Sequence, residues 1–148
     1  MTVLHDVRLA LARLLAAELR SATVSAYPIA GTLPDDVVYV NRARSRFRWR
    51  SLGDQTTDRA EYLLIDVVVR CYRAGATDPD APGDAVDACE ALLAAIEDAV
   101  VADGGQVGGT VSFARISRWK VYPALTPSAS PTGWEAIGRA RLKARNYP

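Results

Sequence analysis

The sequence predicts an α+β fold in a single domain spanning residues 1–148. One mixed or mainly antiparallel sheet carries two main helices on one face, with an extended Arg-rich arm. Three observations predict it. Apolar residues recur at helical spacing near the N-terminus and again across 82–102. The segment 61–73 alternates with an unbroken apolar face. The segment 134–145 alternates too, with small and apolar residues on one side and mostly charges on the other. A chain of 148 residues fits one domain. Folding at this size buries roughly 70% of the unfolded surface, enough for a core without disulfides or metals.

In the first helix Leu4, Val7, Leu11, Leu14 and Leu15 share a face. Thr2 is placed to cap the helix, and Asp6 sits early enough to favour the helix dipole. The stretch 21–26 leaves the helix, and Tyr27-Pro28 blocks further winding. Gly31 and Pro34 mark a loop. Val37, Val38, Tyr39 and Val40 then form a β-rich run. After it, Arg42, Arg44, Arg46, Arg48 and Arg50 recur at every second position, with Ala43, Ser45, Phe47 and Trp49 between them. In an extended chain this period puts the guanidiniums on one face. Phe47 and Trp49 fall on the other, where they pack against protein. The stretch reads as a strand or an extended arm, and 52–59 as a polar turn.

In 61–73, Leu63, Ile65, Val67, Val69 and Cys71 form the apolar face. Tyr62, Leu64, Asp66, Val68, Arg70 and Tyr72 form a mixed one. Such a strand belongs at the centre of a sheet. Gly75, Pro79, Pro82 and Gly83 make a loop. The helix over 82–102 buries Val86, Cys89, Leu92, Leu93, Ile96 and Val100, and Gly104-Gly105 ends it. Its charged residues Asp84, Asp87, Glu90, Glu97 and Asp98 include no Lys or Arg. A strand over 110–122 has a bulge near Ser117, and a loop over 123–133 follows. In the last strand Trp134, Ala136, Gly138, Ala140, Leu142 and Ala144 face one way. Glu135, Ile137, Arg139, Arg141, Lys143 and Arg145 face the other. Cys71 and Cys89 both fall at apolar positions and read as buried thiols.

The net charge of +1 conceals strong segregation. Residues 1–50 carry 8 Lys and Arg against 4 Asp and Glu. Residues 51–103 carry 3 against 12, and residues 104–148 carry 7 against 1. A basic–acidic–basic chain with a total near zero favours complementary protein contacts over general polyanion affinity. Arg outnumbers Lys 16 to 2, which suits ordered interfaces and equally fits a GC-rich genome. No apolar stretch reaches the roughly 20 residues of a membrane span, and the N-terminus lacks a signal-peptide pattern. The expectation is a soluble protein made in a cytoplasm.

The inventory for chemistry is thin, and the expectation is a protein without catalytic residues, cofactor or metal. His5 is the one His, and it lies near the N-terminus. No nucleophile elbow, zinc-protease or Walker motif occurs. The Gly104–Gly109 run follows a helix, whereas a phosphate cradle precedes one, so it reads as a turn. Asp78, Asp80 and Asp84 resemble a calcium loop whose sixth position, Gly83, fits. The twelfth is Cys89, where a carboxylate is required. Three readings of the Arg face stay open. It is an edge strand protected by charge, a contact for an acidic surface such as a neighbouring copy's helix, or a nucleic-acid contact.

The element order resembles the tail terminator (tail completion, minor tail) proteins of long-tailed bacteriophages. The residues that carry the resemblance are the opening helix VLHDVRLALARLLAAEL, the strand VVYV leading into an arm, the long strand EYLLIDVVVRCY, the acidic helix AVDACEALLAAIEDAV, and the strands around ISRW and WEAIGRARLKAR. The resemblance implies a structural virion protein that forms a ring, usually of six copies, at the head-proximal end of the tail tube. Such rings stop tube polymerisation and join the tail to the head. Implied partners are further copies of the chain, the tail tube protein and a head–tail connector protein. DNA passes through the lumen, and no membrane is involved. The family supplies no catalytic residues. The candidate assembly or pore surface is Arg42, Arg44, Arg46, Arg48 and Arg50, with Asp84, Asp87 and Glu90 and with Arg139, Arg141, Lys143 and Arg145. The alternative is a nucleic-acid-binding module using the basic strands 42–50 and 139–145, against which the acidic middle section weighs.

Overall fold

The computed structural model describes residues 3–29, 35–52, 56–75, 77–127 and 133–147, with side chains described for all of these except 49–52, 56–59 and 123–127. The order of elements is α1 (Leu4–Glu18), β1 (Thr23–Ser25), β2 (Asp36–Leu52), β3 (Thr56–Ala74), α2 (Ala81–Ala102), β4 (Phe113–Pro127) and β5 (Gly133–Asn146). The strands form a single sheet in the order β1-β2-β3-β5-β4. β1 pairs with β2 in parallel, and every other pair is antiparallel. The fold is α+β with a mixed sheet, as expected. The segment 61–73 lies in β3 at its centre.

Strand alternation decides which face the helices cover. Leu63, Ile65, Val67 and Val69 of β3 stand beside Ala144, Leu142, Ala140 and Gly138 of β5. These apolar side chains meet Leu92, Leu93 and Ile96 of α2, and the same core takes in Val7, Leu11 and Leu15 of α1. Each fully buried Leu or Ile contributes about 1.5–3 kcal/mol relative to exposure. α2 carries the chain from β3 across the sheet to β4, and β5 fills the place between them. Gly138 lies directly beneath α2. A Cβ there would come 2.7 Å from Leu93 Cδ1 and 3.0 Å from Cys89 Sγ.

The Arg-rich stretch is not a separate arm. Residues 42–50 continue β2 and pair with β3 as far as Leu52 opposite Thr56. Pairing continues because period-two alternation suits a sheet strand as well as a free extended chain. For the same reason 56–59 belongs to β3 instead of a turn. β1 is a short strand where only a departure from helix was expected, and β4 runs on to Pro127 into the expected loop. The expected bulge near Ser117 lies between Ile116 and Arg118, and a second irregularity lies between Tyr122 and Thr126.

A further bulge interrupts β2 between Val40 and Ala43. Arg8 of α1 stabilises it. Its guanidinium donates to the carbonyls of Val40 (3.2 Å), Asn41 (2.8 Å) and Ala26 (3.1 Å), and it lies 4.7 Å from the centre of the Tyr27 ring. Tyr27 Oη is 2.6 Å from His5 Nδ1. The lone His is therefore part of the α1–β2 junction. The cap expected from Thr2 lies outside the described residues. α1 begins after Val3 with no side-chain cap.

The glycine segment after α2 is more than a turn. Val107, at φ 48°, and Val111 are buried in the core. Gly105, at φ +70°, lies where a Cβ would be 2.5 Å from the Ala114 carbonyl oxygen. Cys71 and Cys89 are free and buried. Their mutual hydrogen bond, with burial, raises the Cys71 thiol well above the ordinary range. In the acidic loop Asp78 Oδ1 accepts from the Asp80 amide at 2.9 Å, so that carboxylate shapes the turn. Among the described residues no helix is long and apolar enough to cross a membrane.

Candidate functional site

The sheet face turned away from both helices is basic. Strand register lays it out as rungs. One rung runs Arg46 of β2, Tyr62 of β3, Arg145 of β5 and Phe113 of β4. The next runs Arg44, Leu64, Lys143 and Arg115. Arg48 extends the β2 side opposite Ala60. These residues line a trough of about 690 Å³. It is floored by Tyr62 and Leu64 and rimmed by the cations. Guanidiniums of Arg48 and Arg145 lie 5.5 Å and 5.3 Å from the centre of the Tyr62 ring, within cation–π range. Phe113 is 52% exposed at the β4 end.

Beyond the trough, carboxylates join some of the cations. Asp66 of β3 faces Arg141 of β5 at 3.2 Å. Arg70 meets Glu135 of β5, with Nη2 at 2.5 Å from Oε1. Lys120 and Arg139 share the ring of Tyr122 at 5.2 Å and 5.6 Å. Among the described residues no carboxylate forms an ion pair with the trough cations Arg44, Arg46, Arg48, Arg115, Lys143 or Arg145. A smaller cavity of about 470 Å³ adjoins the trough at the β2 bulge, where Arg8, Arg42, Arg44, Asp66 and Arg141 meet.

The structure brings together most of the residues singled out from sequence. Arg42, Arg44, Arg46 and Arg48 are exposed in β2, and Arg139, Lys143 and Arg145 are exposed in β5. Arg141 is half-buried against Asp66. Arg50 lies in β2, and its side chain is outside the described set. Because β3 lies between β2 and β5, the two basic stretches share one face across a single strand. Phe47 falls on the helix side, as expected, but it remains 36% exposed there.

Asp84, Asp87 and Glu90 are exposed on α2. The buried stripe of α2 rests on the sheet, so these acids point to the opposite side of the molecule from the trough. α2 holds no Lys or Arg in its 22 residues. Of its other acids, Glu97 accepts from Trp119 Nε1 at 3.0 Å.

Sequence reasoning missed the contribution of β4. Arg115 and Arg118 differ in parity and seem to belong to opposite faces in a regular strand. The bulge between Ile116 and Arg118 resets the alternation, so Arg115, Arg118 and Lys120 all align with cations of β5. The signal was present in the sequence, because the expected bulge near Ser117 already implies this change of parity.

Among the described residues no group of three or more His, Cys, Asp or Glu is placed to hold a metal ion. Comparison with models of known protein families gives no match, and comparison with curated proteins gives none.

Proposed function

We propose that the chain is a structural virion protein, one subunit of a homo-oligomeric ring at the head-proximal end of a bacteriophage tail tube. In this reading the ring ends tube polymerisation and joins tail to head. It contacts the tail tube protein on one side and a connector protein on the other, and it has no catalytic residue. The observation that carries the reading is the opposite charge of the two broad surfaces of a two-layer subunit. The bare sheet face is basic, and the exposed face of α2 is acidic. Complementary patches on opposite sides of one subunit favour a head-to-tail contact between copies. Repeated head-to-tail contacts generate a ring when the rotation closes. The resemblance in element order supplies the place of that ring in a virion.

Size-exclusion chromatography with light scattering, on the chain alone and with tail tubes of the phage that encodes it, tests the reading. The expected result is a closed oligomer, or a monomer that collects at tube ends. A chain that stays monomeric and ignores tubes overturns it.

One observation favours a second reading, a nucleic-acid-binding module. The basic stretches of β2 and β5 combine into a single basic patch with an exposed Phe113 beside it. That reading expects binding of an oligonucleotide with a steep salt dependence.

A further inference from the structure

We infer that the basic trough around Tyr62 seats the first half of helix α2 from a second copy of this chain, with Asp84, Asp87 and Glu90 set against Arg44, Arg46 and Arg145. The inference rests on the ring reading and names the contact that builds the ring.

Among the described residues neither surface has an ion-pair partner inside the subunit. The chain pairs carboxylates with cations elsewhere on the same face, at Asp66–Arg141 and Arg70–Glu135. Within the trough no described residue supplies one. A dense patch of one sign is unfavourable unless opposite charge covers it. On α2, the carboxylates of Asp84, Asp87 and Glu90 make no hydrogen bond or ion pair with any described residue. They point away from the sheet that carries the cations, so these three acids cannot reach the trough of their own subunit. Those of a second copy can.

The dimensions agree. Asp84 to Glu90 spans about 9 Å along a helix. Arg44 to Arg46 spans about 7 Å along β2, and Arg46 to Arg145, two strands apart on one rung, about 10 Å. The long Arg side chains reach over that difference, and their planar forks suit carboxylates. Ala91 and Ala94, also exposed on α2, are small enough to let the helix come down beside Phe113. Two guanidiniums already engage the Tyr62 ring, so it is a poor stacking platform for a base. That favours an acidic helix over a nucleic acid in the trough.

Two charge-reversed proteins test the contact. The first carries Arg44→Glu, Arg46→Glu, Arg48→Glu and Arg145→Glu, so its trough and helix are both acidic. The second carries Asp84→Lys and Asp87→Lys, so both of its surfaces are basic. Self-association, or capture on tail tubes, is read by analytical ultracentrifugation, and circular dichroism verifies each fold. Each protein alone should associate about tenfold or more weakly than the parent. A 1:1 mixture should recover assembly, because acidic helices then meet unreversed troughs and basic helices meet reversed ones. If a Glu variant does not fold, Arg46→Gln with Arg145→Gln should show the same weakening. Parent-like assembly of both variants overturns this contact and leaves the ring reading standing, and so does failure of the mixture to recover. A parent chain that never assembles, alone or on tubes, sinks the ring reading and this inference together. Loss of single-stranded oligonucleotide binding in the first variant, with assembly unchanged, overturns the inference in favour of a nucleic-acid site.

Discussion

Arg141 Nε lies 3.2 Å from Asp66 Oδ1, across neighbouring strands β5 and β3. This pair is a border on the open sheet face. On the side of Arg70, carboxylates accompany the cations. On the side of Arg46, none of the described residues supplies one to the trough.

Asp66→Asn should therefore change surface behaviour more than stability. The two side chains are 34% and 30% exposed, and a pair so placed contributes below about 1 kcal/mol. The melting temperature should move little. Retention on a polyanionic resin should rise, because one more cation joins the uncompensated patch. A large fall in melting temperature with unchanged retention would show that the border has no electrostatic meaning.

The core offers a direct test of layer packing. Ile65 and Leu93 are both fully buried, one on the central strand and one on α2. Ile65→Ala and Leu93→Ala should each cost about 2–5 kcal/mol in urea unfolding. Unchanged midpoints in both variants would remove the basis for placing α2 on β3.

Gly104 and Gly105 make a paired comparison. Both have positive φ, +72° and +70°, but only Gly105 has a backbone atom, the Ala114 carbonyl oxygen, 2.5 Å from a built Cβ. Gly104→Ala should cost about 1 kcal/mol for conformational strain alone. Gly105→Ala should cost clearly more, since the clash is with backbone. Equal losses in thermal unfolding would mean that the end of α2 moves freely away from β4.

Cys71 and Cys89 should be inert in the folded protein. Both are buried, and the thiolate is the reactive form. Because neither sulfur reaches solvent, a thiol reagent at mildly alkaline pH should label neither residue until unfolding. Rapid labelling of the folded chain would contradict the packing of α2 on β3 and β5.

Much of the sheet was legible because its strands obey strict alternation. The last strand, β5, was read with both faces correct, since Gly138, Ala140, Leu142 and Ala144 leave only one side for the helices. The central place of β3 followed from its one apolar and one mixed face. What stayed hidden depends on contacts distant in sequence. Arg8 reads as one more exposed charge on α1, yet it binds carbonyls at a bulge more than thirty residues away. The position of β5 between β3 and β4 has no local signature, because it is set by where α2 returns the chain. Val107 lies in a glycine-rich run that looks like solvent-exposed turn, yet it is fully buried, at φ 48°. The basic face was half visible. The Arg period of β2 and the alternation of β5 show it, and the contribution of β4 appears once the bulge is counted.

Gly138 has a bearing on accuracy of closure. It lets α2 settle at a separation that even a single methyl group would widen, given the nearness of Leu93 and Cys89. Where copies stack helix to sheet, that separation is part of the repeat from one copy to the next. An error in it recurs at every step and adds up around the circle as an angular gap. In the proposed ring the tolerance at position 138 would then be set by the circumference of the assembly. There, a methyl group that the isolated subunit absorbs by a small shift of α2 would still leave the last copy unable to meet the first.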